Sequence, residues 1–151
     1  MEKNEIRNMY YFAYGSNMNH KQMQARCPDS RFLKPAYLNN AGFRYDGKSG
    51  KWDDKAVANI VSSDGEKVWG GLFEVREDDL TEFDSPRCEG YPKSYGKKIV
   101  QVFDVEGNAY NTWVYFRIGE IKGKPSDKYR NVVLGGAKNC NLPEDYIKRN
   151  I

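Results

Sequence analysis

Met9-Tyr10-Tyr11-Phe12-Ala13-Tyr14-Gly15-Ser16-Asn17 is the stretch on which the reading of the fold turns. Met9–Ala13 is a short aromatic run and reads as a buried strand. It ends at Tyr14-Gly15-Ser16-Asn17, a turn cluster in which Ser16, Asn17 and the nearby Asn19 are helix-capping candidates. His20–Arg26 then predicts a short helix, stopped by Pro28. The chain therefore opens as strand, turn and helix.

Outward from this stretch, strands dominate. Phe32–Tyr45 contains extended segments around Ala36-Tyr37-Leu38 and Phe43-Arg44-Tyr45, and Gly47–Asp54 reads as a polar loop. Ala56–Val61, the Ser63-Asp64-Gly65 turn and Val68–Val75 predict a hairpin. Ile99–Val105, Glu106-Gly107-Asn108 and Ala109–Phe116 predict another. Between them, Glu77–Glu82 is acidic at its start, as a helix N-terminus is. Ser126–Lys138 carries Tyr129, Val132, Val133, Gly136 and Ala137 at i, i+3, i+4, i+7 and i+8, the spacing of one helix face. Leu142-Pro143-Glu144-Asp145 opens a last short helix with proline at its first position. With no repeat or linker in its 151 residues, the chain reads as one α+β domain, 1–151, with a largely antiparallel sheet, curved or closed.

Composition removes several function classes. Lys plus Arg number 24 and Asp plus Glu 21, a net charge of +3, so bulk electrostatics point to neither a nucleic acid nor an acidic membrane. Cys27, Cys88 and Cys140 are odd in number and widely spaced, with no CxxC or HxxxH pattern. They read as reduced thiols rather than a zinc site or redox pair, and no metal or cofactor is expected. Met1–Arg7 is charged where a signal peptide is apolar, and no run approaches the ~18 apolar residues of a spanning helix. A soluble, cytoplasmic location is the expectation. A single histidine, His20, lies in the polar stretch Asn19-His20-Lys21-Gln22 and reads as a solvated surface residue. Acid–base chemistry then falls to Glu, Asp, Tyr or Lys.

Three features carry chemistry. Gly15 allows positive φ and close backbone approach, and the helix start after it offers N–H groups for a carboxylate or an oxyanion. The same turn also serves as a plain cap. Glu89, in Cys88-Glu89-Gly90-Tyr91-Pro92 with Tyr95 beyond, is a loop carboxyl that aromatic walls would desolvate, raising its pKa toward that of a general base. An exposed loop glutamate is the other reading of that spacing. Tyr11, Tyr14, Tyr95, Tyr115 and Tyr129 serve as packing, or as an aromatic face for stacking bases, although no basic stripe accompanies them.

Together these segments resemble the gamma-glutamylcyclotransferase superfamily. The resemblance begins at Tyr11-Phe12-Ala13-Tyr14-Gly15-Ser16-Asn17 and continues through Val68-Trp69-Gly70 and Glu89-Gly90 with Tyr95. It closes with Tyr129, Gly136-Ala137-Lys138, Leu142-Pro143 and Tyr146, so it spans residues 10–147. It implies a small β-barrel with flanking helices and release of 5-oxoproline and a free amine from a γ-glutamyl compound. It further implies that Tyr11, Phe12, Ala13, Tyr14, Gly15 and Ser16 form a substrate loop, and that Glu89 is the catalytic acid/base. Tyr95 would orient Glu89, and Tyr115 and Tyr129 would line the cavity. One departure stands out: members show Asp-x-x-Glu-Gly, whereas Asp84-Ser85-Pro86-Arg87-Cys88-Glu89-Gly90 holds two extra residues.

The expected partner is a small γ-glutamyl substrate, with neither nucleic acid nor membrane. Such a reaction suits this inventory, because the substrate's own α-amine is the nucleophile and ring closure is intramolecular. Two other readings remain open at this point: a binding module of the same fold without turnover, and an aromatic-face RNA binder.

Overall fold

The computed structural model describes residues 8–49, 55–79, 95–117 and 122–151. Five strands close a barrel: β1 (Asn8–Ala13), β2 (Arg31–Ser49), β3 (Lys55–Arg76), β4 (Tyr95–Phe103) and β5 (Ala109–Arg117), in the order β1-β3-β2-β4-β5. Every ladder is antiparallel except the seam, where β1 and β5 run parallel with Tyr11 opposite Trp113. Closure removes the open sheet edge that would otherwise invite pairing with another chain. Helices α1 (His20–Arg26), α2 (Asp127–Asn139) and α3 (Glu144–Asn150) flank the barrel, and a 3-10 turn, Ser16–Met18, precedes α1. The expected α+β barrel, mixed but largely antiparallel, is the fold observed.

Local readings hold at both ends of the chain. Asn19 caps α1, accepting from the N–H groups of Lys21 at 3.1 Å and Gln22 at 3.2 Å. Ser126 caps α2 by accepting from Tyr129 N–H at 3.0 Å. The buried face of α2 is Tyr129, Val133, Gly136 and Ala137, four of the five periodic positions. That helix ends with Asn141 in the left-handed region, φ 58°, and Leu142 N–H bonded to the Ala137 carbonyl. Pro143 lies at the cap of α3 rather than inside its first turn. Of Glu77–Glu82, residues 77–79 are helical and the remainder lies outside the described residues.

Two expectations are corrected. Ala56–Val61 and Val68–Val75 do not pair with each other, because both lie along β2: Val61 stands opposite Gly42 and Val68 opposite Leu38. Between the Asn39–Lys67 and Ala41–Ser62 pairs, β2 has one residue, Asn40, and β3 has four, 63–66. The Ser63-Asp64-Gly65 turn is therefore a bulge inside one long strand. Asn40 (φ 57°) and Gly65 (φ 84°) take the positive dihedrals that the bend requires, and Gly65 N–H donates to the Asn40 side chain. The second correction is Gly47–Asp54: Gly47, Lys48 and Ser49 continue β2, and 50–54 lie outside the described residues. The β4–β5 hairpin forms as expected. Its turn is held by buried Asp104, which accepts from Glu106 and Asn108 N–H, Asn108 Nδ2, Lys34 Nζ and Tyr110 Oη. Burial opposes ionisation there, but these hydrogen bonds outweigh it and hold the Asp104 carboxyl well below the usual carboxylate range.

The core joins the barrel wall to the helices. Phe12, Leu72, Val68, Val102 and Val114 are fully buried, as are Met18 and Met23 of the 3-10 turn and α1, and Val133 of α2. Each such side chain stabilises the fold by about 1.5–3 kcal/mol relative to exposure. Cys27 and Cys140 are buried, while Cys88 lies outside the described residues.

Candidate functional site

Parallel pairing at the β1–β5 seam brings the C-terminal ends of both strands to one end of the barrel. Ala13, Tyr14 and Gly15 leave β1 there, beside Tyr115 and Arg117 of β5. Tyr95 opens β4 at the same end, opposite Arg117. The outer half of the β2–β3 pair reaches this end too, where Ala58 N–H donates to the Tyr129 hydroxyl of α2 at 2.9 Å. Tyr11, Phe12, Ala13, Tyr14, Gly15, Ser16, Tyr115 and Tyr129 thus converge. The side chains of Tyr11, Tyr14 and Tyr129 are buried, and Tyr115 is half-buried. Glu89 lies outside the described residues.

Gly15 owes its place to proximity. Its φ is −119°, so the expected left-handed conformation is absent. A Cβ at this position would stand 3.0 Å from the Ala58 Cβ and 3.2 Å from the Tyr129 hydroxyl. The helix start after the turn also differs from expectation. Lys21 and Gln22 N–H are taken by Asn19, and His20 N–H donates to the Asn139 side chain. Those donors of α1 therefore cap the helix rather than cradle an anion.

The phenol hydroxyls divide by direction. Tyr14 donates to the Tyr115 carbonyl at 2.7 Å, committing its proton to the barrel seam. Tyr129 accepts from a backbone N–H, which can only donate, so its own proton is directed elsewhere. Tyr11 accepts from Asn17 Nδ2 at 2.9 Å, with the same consequence. The Tyr11 ring packs edge-on against Tyr115 with centroids 6.1 Å apart.

Sequence reasoning missed the polar support beneath the turn. Gln22 Nε2 donates to Ser16 Oγ at 2.7 Å and Asn17 Oδ1 at 3.0 Å, and Arg26 Nη1 donates to Asn17 Oδ1 at 2.9 Å. Gln22 and Arg26 are four residues apart on α1, hence on one face, and that spacing was the available signal. Asp46, Asn59 and Arg117 were missed as well. Asn59 Nδ2 donates to Asp46 Oδ2 at 2.8 Å, Asn59 Oδ1 accepts from Arg117 N–H at 2.8 Å, and Arg117 Nε lies 3.4 Å from Asp46 Oδ1. These groups come from three strands and carry no local sequence pattern.

His20 is half-buried rather than a fully solvated surface residue. Its ring lies tilted against Phe32 at 4.8 Å and edge-on to Phe73 at 5.9 Å, with Nε2 3.8 Å from Cys140 Sγ. Desolvation lowers its pKa, and burial pushes the Cys140 thiol up to about 12. The pair is a protonated thiol beside a neutral imidazole, a poor nucleophilic dyad. Among the described residues, no group of three or more His, Cys, Asp or Glu side chains could hold a metal ion. No helix among them is long and apolar enough to cross a membrane.

Fold and site define the class first: a closed-barrel α+β protein whose tyrosines converge on a glycine turn at one barrel end. Residues 11–133 match the family model described as gamma-glutamyl cyclotransferase, AIG2-like, and the chain belongs to that family. It is an enzyme of the gamma-glutamylcyclotransferase type. The chain is 29% identical over 143 residues to gamma-glutamylcyclotransferase of Homo sapiens and 28% identical over 143 residues to that of Mus musculus. Each match covers 92% of this chain and 75% of the relative. A solved structure of a gamma-glutamyl cyclotransferase superposes with a TM-score of 0.87 at 26% identity, covering 95% of this chain and 86% of that one.

Proposed function

We propose that this enzyme cleaves a γ-glutamyl amide to 5-oxoproline and a free amine, with Glu89 as general acid/base. The α-amine nitrogen of the substrate attacks its own γ-carbonyl carbon and forms the five-membered ring. Glu89 takes a proton from that amine and returns it to the departing nitrogen as the γ-amide C–N bond breaks. No enzyme nucleophile is needed, so the inert Cys140–His20 pair is no obstacle. Holding the folded conformer removes most of the entropic barrier to ring closure.

The observation that carries this reading is the pairing of Gly15 with Tyr129 and Ala58. A residue without a side chain lies within contact of a phenol whose proton is directed away from the backbone donor it accepts from. Such a turn suits a substrate held by the Gly15–Ser16 backbone and by phenol donors. Tyr11, Tyr14, Tyr115, Tyr129 and Tyr95 would line the site. Support for Glu89 comes from chain reach: it precedes Tyr95, which opens β4 at this barrel end, by six residues, a span of at most about 20 Å. The two extra residues in Asp84–Gly90 would shape the pocket for the leaving amine.

The test is the Glu89→Gln variant, with 5-oxoproline release measured across a panel of γ-glutamyl amides. Loss of release with an unchanged circular dichroism spectrum is expected, and full activity would overturn the assignment of Glu89. γ-Glutamyl ligands that bind the wild type without any turnover would instead support a binding module.

A further inference from the structure

In the barrel order β1 lies between β3 and β5, and it ends at Ala13. Tyr11 is level with Trp113, so Arg117 lies beyond the last residue of β1. There a side chain of β3 reaches β5. The Asn59 amide accepts from Arg117 N–H at 2.8 Å and donates toward the Arg117 carbonyl at 3.5 Å, pairing with that residue as a neighbouring strand would. Asp46 fixes which way the amide faces. A carboxylate only accepts, so Asn59 Nδ2 turns to Asp46 Oδ2 at 2.8 Å and leaves Oδ1 for the Arg117 N–H. The other Asp46 oxygen lies 3.4 Å from Arg117 Nε, which ties the main chain and the side chain of Arg117 to the same pair. We infer that Asn59, oriented by Asp46, is a positioning residue that fixes the spacing between the Gly15–Tyr129 side and the Tyr95–Tyr115 side of the cyclotransfer site. This rests on the reading proposed above, in which both sides hold substrate.

The placement of the pair favours this role over simple packing. Successive residues of a strand face opposite ways, and β3 uses both faces here. Ala58 meets the glycine turn: a Cβ on Gly15 would stand 3.0 Å from its Cβ, and its N–H donates to the Tyr129 hydroxyl. Asn59, the next residue, holds Arg117, which lies two residues past Tyr115 and opposite Tyr95. Tyr115 in turn takes the Tyr14 hydroxyl through its carbonyl. Two consecutive residues of β3 thus join both sides of the barrel end. Asn59 and Asp46 are buried, and a side chain that only filled space there would need no charge beside it. Displacing one side by about 1 Å can cost roughly 100-fold in rate, so a two-point clamp between the sides bears directly on turnover.

Asn59→Asp keeps the shape of the side chain and spoils one bond. The new carboxylate at 59 still accepts from Arg117 N–H, but it sets an acceptor and a like charge against Asp46 Oδ2, so the clamp opens. The exchange variant Asn59→Asp with Asp46→Asn restores the pairing, because the new amide at 46 donates to the new carboxylate at 59. The probe is γ-glutamylalanine at pH 8, with folding followed by circular dichroism at the assay temperature. Asn59→Asp should be folded, with kcat/KM lowered about tenfold or more. The exchange variant should return to within about threefold of wild type, the signature of a coupled pair. A folded Asn59→Asp that melts earlier but keeps the wild-type kcat/KM would overturn the inference, because the clamp would then hold the fold and not the site. So would an exchange variant no more active than Asn59→Asp. If Asn59→Asp does not fold, Asn59→Ser decides, since its shorter side chain cannot span Asp46 and Arg117. A loss of about tenfold in that variant is then expected, and a wild-type kcat/KM would overturn the inference. A wild-type enzyme that releases no 5-oxoproline from any γ-glutamyl amide would remove the underlying reading first, an outcome distinct from an active enzyme indifferent to Asn59→Asp.

Discussion

The Tyr14 hydroxyl donates to the Tyr115 carbonyl at 2.7 Å, joining residues 101 apart in sequence across the barrel's parallel seam. Few main-chain pairs close that seam, since the β1–β5 register consists of Tyr11 opposite Trp113. This side-chain bond therefore continues the seam beyond the end of β1, at the point where Gly15 turns toward α1. Tyr14→Phe keeps the buried ring and deletes the hydroxyl that donates across the seam. A loss of about 1 kcal/mol is expected, the ordinary worth of one such bond, with a larger effect on kcat/KM than on stability because Gly15 follows directly. Chemical denaturation and steady-state kinetics on one preparation check both parts. A variant with unchanged kcat/KM would show that the seam does not hold the turn.

Gly136 joins α2 to the same turn from the other side. A Cβ there would stand 2.6 Å from the Met18 carbonyl carbon and 2.8 Å from the Met18 Cβ, and against the Asn19 nitrogen. Gly136→Ala gains up to about 1 kcal/mol of helix propensity. Forcing backbone apart costs roughly 1–3 kcal/mol or more, so the clash wins. Net destabilisation of about 1–2 kcal/mol is expected, together with reduced activity as Ser16–Met18 shifts. The neighbouring Gly135→Ala is the control, because its Cβ would meet only the Asn19 side-chain amide at 3.2 Å. Equal melting temperatures for the two variants would show that α2 does not hold the turn by close approach.

These contacts also show what the chain discloses locally. His20–Arg26 and the β4–β5 hairpin were legible because caps, turn residues and periodicity all lie within a few positions of one another. The bulge at Ser63–Glu66 was not, because a Ser-Asp-Gly turn reads the same in a hairpin as inside a strand flanked by a longer partner. What decides between them is the length of β2, more than twenty residues earlier. At the candidate site, the tyrosines and the strand–turn–helix order around Gly15 were legible as local sequence. The direction of their hydrogen bonds was not, since Ala58 and Tyr129 meet across 71 positions. His20 was misread for the same reason: its neighbours in sequence are polar, while Phe32, Phe73 and Cys140 arrive from β2, β3 and the end of α2.

That misreading leads to a dependence on pH. Desolvation lowers the pKa of His20 below the ordinary 6.5. The groups facing the ring from β2, β3 and the end of α2 are Phe32, Phe73 and the protonated Cys140 thiol, none of which offers a negative charge at neutral pH. Between 6.5 and the lower folded value, the unfolded chain binds a proton that the folded chain refuses. Stability therefore falls as pH drops below about 6.5 and levels off below the folded pKa. His20 is the chain's single histidine, so little else titrates between pH 7 and 5.5. Urea midpoints at those two pH values should fall for the wild type and stay level for His20→Gln. A wild-type midpoint that does not change, or one that rises on acidification, would show that the imidazole gains a proton as easily in the fold as in the open chain.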